Sequence, residues 1–172
     1  MKILRSARFR RMGLPLILEA KAQFSRDKTR RFFLMRRWAI GPTVLAVGLN
    51  PSIASTTQDD PTLRRLVRLL DAHGFGAVML LNLWSQIAVQ PSKVIRTEGR
   101  WTVSDWRRFH RITSRTDARL WMWGANGRRH PDVQDVIASD VDALCFGVTA
   151  EGMPKHPLYL PNHTRLLRFL DH

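Results

Sequence analysis

The stretch V-L-A-V-G-L-N-P-S, Val44 to Ser52, constrains this chain more than any other. Its apolar half, Val44 to Val47, carries the β-branched enrichment of a buried strand, and its polar half turns sharply at Gly48, Asn50 and Pro51. A strand ending in such a turn delivers its last residues to the carboxyl edge of a sheet, where ligands bind in open α/β folds. Three further apolar runs repeat the design. Gly76 to Trp84 carries Asn82 into its C-terminal end, Asp117 to Trp123 stops at Gly124-Ala125-Asn126-Gly127, and Ala143 to Val148 leads into a turn at Glu151-Gly152.

Helical signals lie between these runs. Asp60 followed by Pro61 has the form of an N-cap with proline at the first helical position, which predicts a helix to about Ala72 with Leu63, Leu66, Val67 and Leu70 inward. His73-Gly74 closes it. Ser104 opens a second helix in which Trp106, Phe109 and Ile112 share a face, and Pro131 begins a short one to about Ala138. Asn162 is read as the cap of a terminal helix burying Leu166, Leu167 and Leu170. Phe32 to Trp38 reads as a first strand at a sheet edge, and Ile87 to Arg100 as irregular connection.

Strands alternating with helices predict an α/β fold: a three-layer α/β/α sandwich with a mostly parallel four-stranded central sheet, formed as one domain by residues 32–172. If the strands are parallel, Asn50, Asn82, Gly124 and the loop at His156 meet at one edge.

The charge points to a partner. The chain has 28 Lys+Arg against 14 Asp+Glu, a net +14, and 44% hydrophobic residues, a globular composition with a basic excess that suits a polyanion. Most of that excess lies in the first forty residues. Residues 1–31 are read as a basic N-terminal extension, either an arm on nucleic acid or a segment packed on the domain. Cys145 is the single cysteine, so no internal disulfide forms, and its apolar surroundings make it a core residue. The apolar patch Leu14 to Leu18 is interrupted by Pro15 and is too short for a signal peptide or a membrane span, so a cytoplasmic protein without membrane contact is expected.

Taken in order, the turns resemble the signature of the uracil-DNA glycosylase superfamily. G-L-N-P-S (Gly48 to Ser52) is similar to its first motif, L-L-N-L (Leu80 to Leu83) to the strand whose asparagine reads the flipped base, L-W-M-W-G-A-N (Leu120 to Asn126) to the third strand and its turn, and H-P-L-Y-L (His156 to Leu160) to the final loop. The chain also resembles an uncharacterised bacterial and phage family that shares G-L-N-P-S, D-D-P-T and H-P-L-Y-L and has no assigned activity. The resemblance implies a DNA glycosylase-like enzyme that extrudes a mismatched or modified base and cleaves its N-glycosidic bond. It implies double-stranded DNA as the partner of a monomer, and neither cofactor nor metal.

By that resemblance Asn50 positions the attacking water and His156 donates to the leaving base, with Asn82 reading the base edge. Gly48, Leu49, Pro51, Ser52, Gly124 and Tyr159 would line the base site, Leu160 would be an apolar wedge, and Arg128, Arg129 and Lys155 would meet nucleic acid. An amide cannot act as a general base, so a slow enzyme dependent on a good leaving group is implied. Ser52 stands where the uracil-specific branch has a tyrosine, which argues against uracil itself. Each residue also has a plainer role: Asn50 as an Asx-type turn, Tyr159 and Leu160 as loop packing, Asp59 and Asp60 as a helix cap. A divalent-metal site at Asp59 and Asp60 is disfavoured because adjacent residues at a helix start do not converge on one ion. A non-catalytic DNA-binding module that kept the fold and base pocket is the alternative function.

Overall fold

The computed structural model describes residues 14–52, 54–55, 57–87 and 100–171. The readings of residues 1–13 as part of a basic arm and of 88–99 as irregular connection lie outside the described residues. The elements are β1 (Glu19–Phe24), β2 (Arg31–Arg37), β3 (Thr43–Gly48), α1 (Pro61–Ala72), β4 (Ala77–Asn82), α2 (Val103–Thr113), β5 (Ala118–Trp121), α3 (Val133–Ala138), β6 (Leu144–Cys145) and β7 (Leu167–Arg168). Among the described residues no helix is long and apolar enough to cross a membrane.

The strands form one seven-stranded sheet in the order β1-β2-β4-β3-β5-β6-β7. β4, β3, β5 and β6 run parallel, whereas β1 with β2, β2 with β4 and β6 with β7 pair antiparallel. The expected three-layer sandwich around a mostly parallel four-stranded sheet is therefore corrected: the sheet is larger and mixed, with three α-helices among the described residues. The parallel run was legible because strands buried on both faces read as continuous apolar segments. Of the antiparallel additions β2 reads as a strand, though at the edge, whereas β1 is too polar and β7 too short to announce itself.

β2 shows the difficulty. Arg36 and Arg37 mark it as an edge strand, yet it lies between β1 and β4. Arg36 is 1% exposed, its Nε donating to Asp59 Oδ1 at 2.8 Å, Nη1 to the Met35 carbonyl at 2.9 Å and Nη2 to the Ser55 carbonyl. The outer strand is β1, which lies inside the segment read as a basic extension.

The C-terminus also departs from expectation. Leu166, Leu167 and Leu170 do not share an α-helix, and of the three Leu170 alone falls in a 3-10 turn, Phe169–Asp171. Leu167 and Arg168 pair with Cys145 and Leu144, and the Phe169 N–H donates to the Ala143 carbonyl at 2.8 Å. β6 thereby gains a partner along its open side, Phe169 takes the buried position, and Leu170 stays exposed.

The centre follows from alternation along β3. Val44 and Ala46 face a cluster with Leu63, Leu66 and Leu70 of α1, while Leu45 and Val47 face Phe109 and Ile112 of α2 and Val136 of α3. α1 has the expected bounds, since Asp60 accepts from the Leu63 N–H at 2.6 Å and Pro61 opens the first turn. α2 starts one residue before Ser104. Thr102 is its cap, in a reciprocal capping box with Asp105.

Candidate functional site

The parallel strands bring their carboxyl ends to a common edge. Gly48 pairs in register with Asn82. The Leu83 and Trp84 N–H groups donate to the Gly48 and Leu49 carbonyls, each at 2.9 Å, and Met122 N–H reaches the Val47 carbonyl at 2.9 Å. A Cβ at Gly48 would stand 2.8 Å from Asn82 Nδ2, so only glycine lets the amide lie across the strand end. Asn50 is half-buried and its Nδ2 donates to the Pro51 carbonyl at 3.2 Å, a bond within its own turn. Pro51 is buried and Ser52 half-buried, while Leu49 belongs to the hydrophobic core with Leu81 and Trp84.

Asn82 has a partner that the sequence reading missed. Its Oδ1 accepts from Arg31 Nη2 at 3.2 Å, and Arg31 Nη1 donates to the Ala54 carbonyl at 3.0 Å. Arg31 is 3% exposed; burial, partly opposed by Asp60 and reinforced by Arg36, lowers its pKa to about 10. It remains a cation at neutral pH.

At the other side, the Gly124 N–H donates to the Pro154 carbonyl at 2.8 Å, and a Cβ at Gly124 would lie 3.6 Å from that of His156. The loop from His156 thus sits on the turn after β5, and its 3-10 segment Pro157–Tyr159 packs on α1. Within that turn, a Cβ at Gly127 would come within 1.9 Å of Trp123 Cδ1, and Trp123 is buried in a stack with Trp121. Gly127→Ala should therefore cost about 1–3 kcal/mol, readable as a lower urea midpoint at unchanged slope.

His156 Nδ1 accepts from the Leu158 N–H at 3.4 Å, which leaves the proton of a neutral imidazole on Nε2. Burial holds its pKa below 6.5, with Asp60 pulling the other way. His130 is also lowered by burial, against Asp132 and a bond with the Leu83 backbone. The folded state thus binds fewer protons than the unfolded chain below 6.5. Stability is complete above that pH and is lost as pH falls toward the folded-state values. The urea midpoint should be flat above about pH 7 and drop on acidification, and His156→Gln should reduce that drop.

The remaining expected residues divide. Tyr159 is 90% exposed, whereas Leu160 is half-buried against the core cluster that contains Leu34 and Leu63. Arg128, Arg129 and Lys155 are exposed, on the turn after β5 and on the His156 loop. Asp59 is ion-paired with Arg36 at 2.7 Å and Asp60 caps α1, so both carboxylates have structural partners. Among the described residues no group of three His, Cys, Asp or Glu converges on a metal position.

A cavity of about 240 Å³ opens beside Asn82, on the side of α2. Its wall includes Arg30, Arg31, Arg100, Trp101 and Arg108, but neither Asn50 nor His156. Asn82 therefore stands between the constellation expected from the turns and a basic cavity that no turn motif announces. The only signal for it was Arg31 heading an apolar strand.

Residues 31–158 match the family described as Protein of unknown function (DUF1643), and the chain belongs to that family. No curated protein and no solved structure matches it.

Proposed function

We propose that this member of the DUF1643 family is a nucleic-acid-binding protein that receives an extruded base at the edge holding Gly48 to Ser52, Asn82, Gly124 and His156. Its reaction on this reading is hydrolysis of an N-glycosidic bond to a mismatched or modified base in duplex DNA. The observation that carries the reading is the state of His156: a neutral imidazole whose proton lies on Nε2, beside the turn after β5. A departing base is anionic, and a pre-oriented neutral donor stabilises such charge as it develops. Three of the four motifs lie at the carboxyl ends of the parallel strands β3, β4 and β5 and the fourth, the His156 loop, sits on the turn after β5, in keeping with a relationship to the uracil-DNA glycosylase superfamily, and the net charge of +14 suits the polyanion.

The test is release of base. Duplexes carrying single uracil, mismatched and modified bases are incubated with the full chain and assayed for abasic sites by alkaline cleavage on gels. Product from at least one of them supports the enzyme. Binding without product from any of them rejects it in favour of a non-catalytic base-binding module. One observation favours that second reading: Asn50 spends its Nδ2 on the Pro51 carbonyl and has no basic site with which to activate water.

A further inference from the structure

Arg31 and Arg36 lie on the same strand and are equally hidden from solvent, yet only one is satisfied. Arg36 has the Asp59 carboxylate and two carbonyls. Arg31 donates only to two neutral acceptors, the Ala54 carbonyl and Asn82 Oδ1, and its buried Nε has no partner. Among the described residues no carboxylate forms an ion pair with it. A buried guanidinium with no ion-paired carboxylate among the described residues, its charge only partly offset by Asp60 and its Nε–H unspent, is unfavourable and invites an anion.

The cavity beside it is built for one. Arg30, Arg100 and Arg108 line it with Arg31; Arg30 donates to Ser85 Oγ, Asp132 lies 3.9 Å from Arg100, and the carboxylate on the wall itself, among the described residues, is Asp105. That carboxylate is already engaged by Arg108 Nη1 at 2.9 Å and by the Thr102 backbone N–H at 2.9 Å. Arg108 is held over the Phe32 ring with its guanidinium carbon 4.5 Å from the centroid, so its direction is set before any ligand arrives. Ser85 and Thr102 add hydroxyls to the wall. A phosphate, with more charge and more acceptor oxygens than a carboxylate, matches the forked donors that Arg31 and Arg108 bring to this wall. At about 240 Å³ the space is below the roughly 300–1,000 Å³ of pockets that enclose whole drug-sized ligands, which suits a phosphate group and its immediate substituent.

We propose that the cavity between β2, β4 and α2 is a phosphate-ester site, anchored by the buried Arg31 and completed by Arg30, Arg100 and Arg108. The ester is either that of a free nucleotide or a phosphate of nucleic acid. The site does not depend on base excision: it would stand if no bond is cleaved at the neighbouring edge, with Asn82 touching both.

The experiment is calorimetric titration of the full chain, at matched ionic strength, with inorganic phosphate, thymidine 5′-monophosphate and a short deoxyoligonucleotide with or without a 5′-phosphate. Saturable binding of phosphate is expected. Arg31→Met should weaken it about 10- to 100-fold, the loss of a charged hydrogen-bonding partner, and Arg108→Ala should weaken it less. Arg31→Met should also leave the melting temperature of the ligand-free protein unchanged or raised, because it removes a buried charge that Asp60 only partly offsets; a purely structural arginine would lower it. If that variant does not fold, Arg108→Ala and Arg100→Ala carry the measurement. Preference for the monophosphate identifies a free or terminal ester, and equal competition by the unphosphorylated oligonucleotide identifies the backbone. The proposal is overturned if phosphate gives no more signal than chloride, or if the arginine variants that fold retain wild-type affinity.

Discussion

Asp59→Ala is expected to lower the unfolding free energy by about 3 kcal/mol, the lower end of the range for stripping a partner from a buried ion pair. The cause is the arginine left behind. Arg36 is 1% exposed in the interior of the sheet, and among the described residues Asp59 supplies its only carboxylate, at 2.8 Å from Nε and 2.7 Å from Nη2. The Met35 and Ser55 carbonyls remain as acceptors and limit the loss. For a domain of this size the change corresponds to a fall in melting temperature of about 6–12 °C. Adding Arg36→Met to Asp59→Ala should recover most of it, since a hydrophobic side chain of similar length fills the space without the charge. A loss below about 1 kcal/mol, the range of solvated pairs, would mean that water reaches Arg36 in solution. Asp59 would then need another role.

His156→Ala should reduce base release by about 10²–10³-fold if the proposed excision is correct, the usual cost of losing one pre-oriented donor to a developing anion. DNA affinity should change little, because on this reading the exposed Arg128, Arg129 and Lys155 would meet phosphates without the imidazole. The effect thus falls on the single-turnover rate rather than on binding. Asn50→Ala should slow the same step by a smaller factor, since an amide only orients water. Excision that persists at the wild-type rate in both variants would remove this edge as the reacting site, even with the activity established.

Parts of this molecule were readable from local chemistry alone. The helix at Pro61–Ala72 carried its start in Asp60-Pro61 and its stop in His73-Gly74, and each of those signals acts through bonds to residues within a turn or two. The four parallel strands were visible as apolar runs ending in turns, because burial on both faces leaves no room for polar alternation. Their shared direction then placed Gly48, Asn82, Gly124 and the His156 loop at one edge.

What lies outside that reach depends on partners distant in sequence. β1, half-exposed, and β7, exposed, are edge strands whose composition resembles a basic tail and a helix; only their pairing with β2 and β6 makes them strands. β2 was misplaced to the edge because Arg36 looks like a solvent residue until Asp59, 23 positions later, folds against it. The same holds for the cavity. Arg31 meets Asn82 across 51 residues, and Arg108 meets Phe32 across the space between α2 and β2. The sequence by itself determined the turns, the caps and the buried strands, since these are satisfied within a few residues. Only the tertiary structure decided which buried arginine is ion-paired and which, among the described residues, is not, because that depends on how strands far apart in the chain are brought side by side.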